Sequence, residues 1–165
     1  MSHQPVIDGF EFASAGATQQ GIIPVSEFYR LRDLLASDAG DIAYGIQGTR
    51  DERGRPALRV TARGALQLRC QRCLGAMRFE VRTDAMLVLA ATQAEIDAEP
   101  ADPSAPDRVL GSKEMALREL VEDELILELP YAPRHDDCAA GAAVAETEKA
   151  ASPFAGLRGI MRGKH

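Results

Sequence analysis

Apolar and polar residues alternate most regularly in the middle of the chain. Leu58, Val60, Ala62, Gly64, Leu66, Leu68 and Cys70 share one parity, and Arg59, Thr61, Arg63, Ala65, Gln67 and Arg69 share the other. This period of two predicts a strand over about 57–70 with one buried and one wet face. Met77, Phe79, Val81, Ala85, Leu87 and Leu89 repeat the pattern against Arg78, Glu80, Arg82 and Asp84. That predicts a second strand over 77–90, joined to the first through Gln71 to Ala76 as an antiparallel hairpin. If the apolar parities share the core side, most of the arginines line the opposite face.

Ile42, Tyr44 and Ile46 alternate in the same way and predict a strand over 41–50. It is followed by a turn at Asp51-Glu52-Arg53-Gly54-Arg55-Pro56 and pairs with 57–70 on its other side. Phe28, Leu31 and Leu35 fall at helical spacing, with Pro24 and Ser26 near the start and Arg30, Arg32 and Asp33 turned outward. They predict a short helix over 22–36. A second helix is expected after Ser112, its N-terminal cap, with a core stripe of Leu117, Leu120, Val121 and Leu125. Glu122, Asp123 and Glu124 are expected on its outer side, and Pro130 ends it. Residues 92–110 carry Pro100, Pro103 and Pro106 among Ala, Asp and Glu, and read as a flexible acidic loop. The Ala-rich stretch 139–151 reads as disordered, and Phe154, Leu157 and Ile160 allow a short helix over 153–161. The fold class expected is therefore α+β: one domain over 1–138, a curled antiparallel sheet of about four strands with two helices. A mobile tail over 139–165 follows it.

Composition narrows the class further. A chain of 165 residues, 45% hydrophobic and 27% charged, suits one globular domain with a real core. Aromatics are 5% and Trp is absent, so Leu, Val, Ile and Ala must supply most of that core. The longest uncharged apolar run, Met86 to Thr92, is far short of the roughly 20 residues that a membrane span needs. The start, MSHQPVIDGF, has neither the cationic opening nor the apolar segment of a secretion signal. Three Cys do not make a disulfide framework, and a reducing cytoplasm is the expected compartment.

The net charge of −6 conceals a strong asymmetry. Residues 49–83 hold nine cations, all Arg, against three carboxylates, while 84–138 hold four cations against fourteen carboxylates. Two readings stand side by side. An Arg-rich face could pair in cis with the acidic segment after it, since the chain lacks the overall basic footprint of a nucleic-acid binder. Alternatively the guanidinium groups contact RNA or an acidic protein, using the planar bidentate geometry that Lys cannot copy.

The most specific chemical pattern is Cys70-x-x-Cys73 followed far downstream by His135-x-x-Cys138. A two-residue spacer in a tight turn lets both thiolates reach one ion, and three Cys with one His make a tetrahedral zinc set. The plainer alternative is a core Cys70, a loop thiol at Cys73 and an unrelated downstream pair. A redox dithiol fits poorly, because it needs a helix N-terminus and this pair falls between two strands. No Gly-rich phosphate loop or nucleophile elbow is present, and two of the three His lie at chain ends. Glu119, Glu122, Asp123, Glu124 and Glu128 read as a solvated helix face, so an enzyme is not expected.

Three blocks, LRCQRCLGAMRFEV (68–81), LVEDELILELPYAPRHDDC (120–138) and SPFAGLRGIMRGK (152–164), resemble the YceD family. These are the bacterial large ribosomal RNA subunit accumulation proteins, with plastid relatives. The blocks cover about a quarter of the chain, and their order and the acidic loop between them agree with the family. The resemblance implies a non-enzymatic cytoplasmic protein that supports accumulation of 23S ribosomal RNA. Relatives are also described as candidate metal-binding and nucleic-acid-binding proteins. Cys70 and Cys73 match the family's paired cysteines and Cys138 its downstream one. His135 matches a histidine of some members, others carrying further cysteines there. The expected contact surface is Arg59, Arg63, Arg69, Arg72, Arg78 and Arg82, and the expected partner is a ribosomal RNA precursor or a ribosome-assembly protein. A zinc-stabilised adaptor that recruits a basic protein through the acidic helix at 113–128 is the alternative. Neither a membrane nor a small-molecule substrate is implied.

Overall fold

A computed structural model describes residues 5–100 and 102–138. In chain order its elements are β1 (Val6–Ile7), α1 (Gly9–Ala15), β2 (Thr18–Pro24), β3 (Leu35–Ser37), β4 (Asp41–Arg50), β5 (Pro56–Arg69) and β6 (Ala76–Ala90). Then come α2 (Gln93–Asp97), β7 (Asp107–Leu110), β8 (Met115–Ala116) and α3 (Leu117–Glu128). Strands β2, β4, β5, β6 and β7 lie in that order in one open sheet. β5 outruns β4, and β3 pairs with its far end at Leu68. All contacts in this sheet are antiparallel except the one between β6 and β7. β1 and β8 form a separate two-stranded ribbon.

The alternation read from the sequence sets this register. Gly64 lies opposite Ile42 and Val60 opposite Ile46, while Leu58 faces Leu87 and Leu66 faces Phe79. One side of the sheet is thus apolar, and α1, α3 and the turns after β2 cover it. Val25, Phe28, Leu31, Leu117 and Leu125 are fully buried there with Ile42, Ile46, Leu58 and Val60. Burying side chains of this kind contributes about 1.5–3 kcal/mol each before chain entropy is charged against it. The expected α+β class, the pairing of 41–50 with 57–70 and the pairing of 57–70 with 77–90 are all observed. Among the described residues eight strands in two sheets and three helices exceed the four strands and two helices expected.

Four local expectations are corrected. Residues 22–36 are not one helix: they finish β2, make 3-10 turns at Val25–Glu27 and Arg32–Leu34, and enter β3. Phe28, Leu31 and Leu35 are buried as their spacing implied, but on successive tight turns. The amides of Arg30 and Leu31 point at the Glu122 carboxylate (2.7 and 3.3 Å) instead of at carbonyls one turn back. Residues 92–110 are not a structureless loop either, because they hold α2 and β7. Arg108 donates to the carbonyls of Glu95, Ile96 and Glu99, and the Glu99 carboxylate meets Arg53, Arg55 and Arg108. The acidic segment is therefore tied down by the basic one before it.

Ser112 does not cap the second helix. α3 begins at Leu117 after an Ala116 that makes no side-chain cap, and Ser112 Oγ accepts the Glu114 amide. Nor do Glu122 and Glu124 face outward, since both are buried. The N-terminal segment, for which the pattern predicted no element, holds α1. Asp8 Oδ1 accepts the Phe10 and Glu11 amides at its start, and Gly16, at φ +59°, ends it. The expected tail at 139–165 and its helix at 153–161 lie outside the described residues.

Candidate metal centre

β5 delivers Cys70 to the hairpin tip, where the chain turns sharply back into β6. The Cys70 amide donates to the Gly75 carbonyl and the Leu74 amide to the Cys70 carbonyl, both at 2.9 Å. The Arg72 amide points at Cys70 Sγ at 3.4 Å. Leu74 adopts φ +62°, a left-handed conformation uncommon for a residue with a β-carbon. This turn brings Cys73 beside Cys70.

The second half of the site comes from the segment after α3. Pro130 prevents the helix from continuing, and the chain runs back to the hairpin tip. There the Gln71 amide donates to the Pro133 carbonyl at 2.8 Å, and Arg72 Nη1 to the Cys138 carbonyl at 2.7 Å. The first of these ties is backbone to backbone and has no signature in residue type, so sequence reasoning could not find it.

Together the two segments gather Cys70, Cys73, His135 and Cys138, whose ligand atoms all lie within 4.8 Å of one another. Cys70 Sγ is 3.5 Å from Cys138 Sγ, and Cys73 Sγ is 3.4 Å from His135 Nδ1. A tetrahedral zinc site with ordinary bond lengths has sulfur–sulfur edges of about 3.8 Å and sulfur–nitrogen edges of about 3.6 Å. These two edges need to open by only a few tenths of an ångström to reach them, and every other ligand pair lies within 4.8 Å. On its far side, His135 Nε2 lies 2.9 Å from the Ala76 carbonyl. A proton on Nε2 leaves the Nδ1 lone pair facing the thiols, the arrangement that orients metal-bound imidazoles. All three cysteines are free thiols.

The electrostatics suit a cation. Burial pushes the Cys70 thiol up, but the amides of Cys73, His135 and Arg72 and the Cys138 thiol outweigh it and bring its pKa down to about 5. Cys138 is pushed up by burial and by the thiols of Cys70 and Cys73. His135 is raised, first by its hydrogen bond to Ala76 and then by Cys70. These surroundings favour the thiolate form of Cys70, and a divalent ion would deprotonate the rest. Four protein donors fill a tetrahedral shell and leave no open position for a substrate, as in structural rather than catalytic sites. The four residues can hold a metal ion, and they are the four that the spacing suggested.

The arginines divide differently. Arg59, Arg63, Arg69, Arg78 and Arg82 are exposed on the sheet face away from the core, as the parity required, and Arg72 is exposed at the hairpin tip. Arg59 makes a two-pronged contact with Asp84 (2.7 and 2.6 Å), and Arg78 is paired with Glu80. Arg69 reaches the Leu35 carbonyl, and Arg72 the Cys138 carbonyl. Arg63 and Arg82 sit directly across from each other in the β5–β6 register. Arg82 helps to lower the Asp84 pKa, after the stronger contribution of Arg59, but both Asp84 oxygens are engaged by Arg59. The six-arginine surface thus reduces to a central pair, with Arg59 and Arg78 neutralised by carboxylates and Arg69 and Arg72 tied to backbone carbonyls.

A small open α+β domain with a Cys3His cluster tying its hairpin tip to the segment after its last helix is the class these observations define. Residues 58–160 match the model of a family described as large ribosomal RNA subunit accumulation protein YceD. The chain belongs to the YceD family. No solved structure matches it. Among the described residues no helix is long and apolar enough to cross a membrane.

Proposed function

We propose that this protein is a zinc-bound, non-enzymatic cytoplasmic factor in the accumulation of large-subunit (23S) ribosomal RNA, contacting RNA through the solvent face of its sheet. The family description supports the pathway. The observation that carries the contact is the Arg63–Arg82 pair. Like charges directly opposite one another destabilise a sheet, and a phosphate between them turns that cost into attraction. Ile22, 69% exposed, and Ala43 extend the row beyond Arg63 as a flat apolar shelf beside the cations. Zinc, held by Cys70, Cys73, His135 and Cys138, acts as a structural tie.

The direct experiment measures binding to 23S ribosomal RNA fragments over a salt series, for the native chain and for the Arg63→Gln/Arg82→Gln double variant. Loss of two phosphate contacts lowers the slope of log affinity against log salt by about 1.4–1.8. An unchanged slope in a folded variant overturns the contact. The adaptor reading predicts instead a protein that ignores naked RNA. Burial of Glu122 and Glu124 and the pairing of Asp123 with Arg30 leave that reading a smaller acidic surface on α3. For the metal, elemental analysis should find one zinc per chain, lost in Cys73→Ser, and a purified native chain that lacks zinc would overturn that part.

A further inference from the structure

β6 is paired along its whole length with β5, but on its other side β7 covers only Leu87–Ala90. Among the described residues no strand covers that side from Met77 to Met86. The direction of its backbone groups can be read at both ends. The Ala90 carbonyl accepts the Gly111 amide on this side, and the Ala76 carbonyl receives His135. In an antiparallel strand such groups alternate, so Arg78, Glu80, Arg82 and Asp84 also turn their amides and carbonyls to the open edge. The groove between Met77–Phe79 and the 130–138 segment, about 940 Å³, leaves space beside the start of this stretch.

Exposed edges are usually guarded by charge, but this one is not guarded against itself. Arg78, Glu80, Arg82 and Asp84 carry charges in the order plus, minus, plus, minus. Run antiparallel to a copy of itself with Val81 opposite Val81, the strand sets Arg78 across from Asp84 and Glu80 across from Arg82, twice each by symmetry. Val81 is then the centre of a non-hydrogen-bonded pair, so the neighbouring even-numbered residues fall in hydrogen-bonded pairs, as their outward amides require. Slipping the copy by two residues in one direction places Arg82 on Arg82 and Glu80 on Asp84. Slipping it the other way places Glu80 on Glu80 and Arg78 on Arg82. One register is attractive and its neighbours are repulsive.

We infer that the open edge of β6 docks a second copy of this chain, antiparallel and centred on Val81, joining two sheets into one across a two-fold axis. Such an interface is isologous, the same patch meeting itself. It gives Arg82 a carboxylate, Glu80 of the second copy, where among the described residues of its own chain no ion pair is formed. The inference draws on Arg82, which the proposed RNA contact also uses, but its test contains no RNA, so either can fail without the other.

The test is sedimentation velocity of the full chain at low salt over a micromolar concentration series, on the native protein and on Arg82→Glu and Glu80→Arg separately. The native chain should dimerise, and each single variant should weaken its own dimer roughly 30-fold by turning two attractive pairs repulsive. Mixing the two variants should restore native affinity, because every cross-strand pair in the mixed dimer is again opposite in sign. That recovery also shows that both variants are folded. A monomeric native chain, single variants that dimerise like the native one, or a mixture that stays monomeric each overturns the inference. A dimer insensitive to these changes assigns the contact to another surface.

Discussion

Glu122 shows how much one carboxylate organises. Its oxygens accept the amides of Arg30 and Leu31 and the Arg30 guanidinium, fixing the turns after β2 to α3. Glu124, two residues on, is buried without such partners among the described residues, and burial, with Asp107 and Asp123 nearby, raises its pKa above the usual 4.5. A raised carboxyl pKa means that the folded chain binds the proton more tightly than the unfolded chain. Stability therefore falls as pH rises from about 4.5 through the raised value, and the penalty persists at neutral pH. Glu124→Gln should melt higher than the native protein at pH 7, with the difference vanishing toward pH 4, as calorimetry across that range would show. Periodicity alone could have placed Glu124, which continues the stripe of Leu117, Leu120 and Val121 at helical spacing. Its charge argued it outward, and the packing of α3 against the sheet prevailed. Leu74 is a second local strain. A left-handed residue with a β-carbon costs about 1–2 kcal/mol, and glycine returns part of the gain as unfolded-chain entropy. Leu74→Gly should then raise stability by about 0.5–1 kcal/mol in urea titrations.

At the scale of elements, the sequence is most legible where one periodicity dominates. β4, β5 and the first part of β6 alternate because one sheet face is buried, while Leu87–Ala90 are buried on both faces, and the spans and pairings follow. α1 was not legible, since its seven residues GFEFASA show too little repeat. Its seat is nonetheless specific: a side chain at Gly48 in β4 would overlap the carbonyl of Phe12. Gly48→Ala should push α1 off the sheet and cost about 1–3 kcal/mol, with faster hydrogen exchange in residues 9–15 than elsewhere. Exchange that rises uniformly would show that α1 is not seated through this contact. Residues 22–36 misled in the opposite way. Their apolar spacing fits a helix, yet a carboxylate 92 residues away takes the Arg30 amide, and no local window contains that information.

Across the whole molecule, the charge asymmetry of the sequence is partly an intramolecular match. Glu99 gathers Arg53, Arg55 and Arg108, and Asp84 holds Arg59. The in-cis reading is thus realised for these arginines, while Arg63 and Arg82 are left toward the solvent. The Cys/His cluster was legible because ligand chemistry constrains residue type and spacing even across a long interval. The hydrogen bonds from Gln71 and Arg72 that hold its two halves together were not.

That cluster also bears on how the chain assembles. Its halves are separated by β6, α2, β7, β8 and α3, so both reach the ion only once these elements have docked. An ion held there would then be captured after the rate-limiting barrier and would act as a latch on the finished structure. Stopped-flow chevrons with zinc and with chelator should share one refolding limb, while the unfolding limb is slower with zinc. Equal unfolding rates with refolding accelerated by metal would place the latch before the barrier, making the ion a seed for folding.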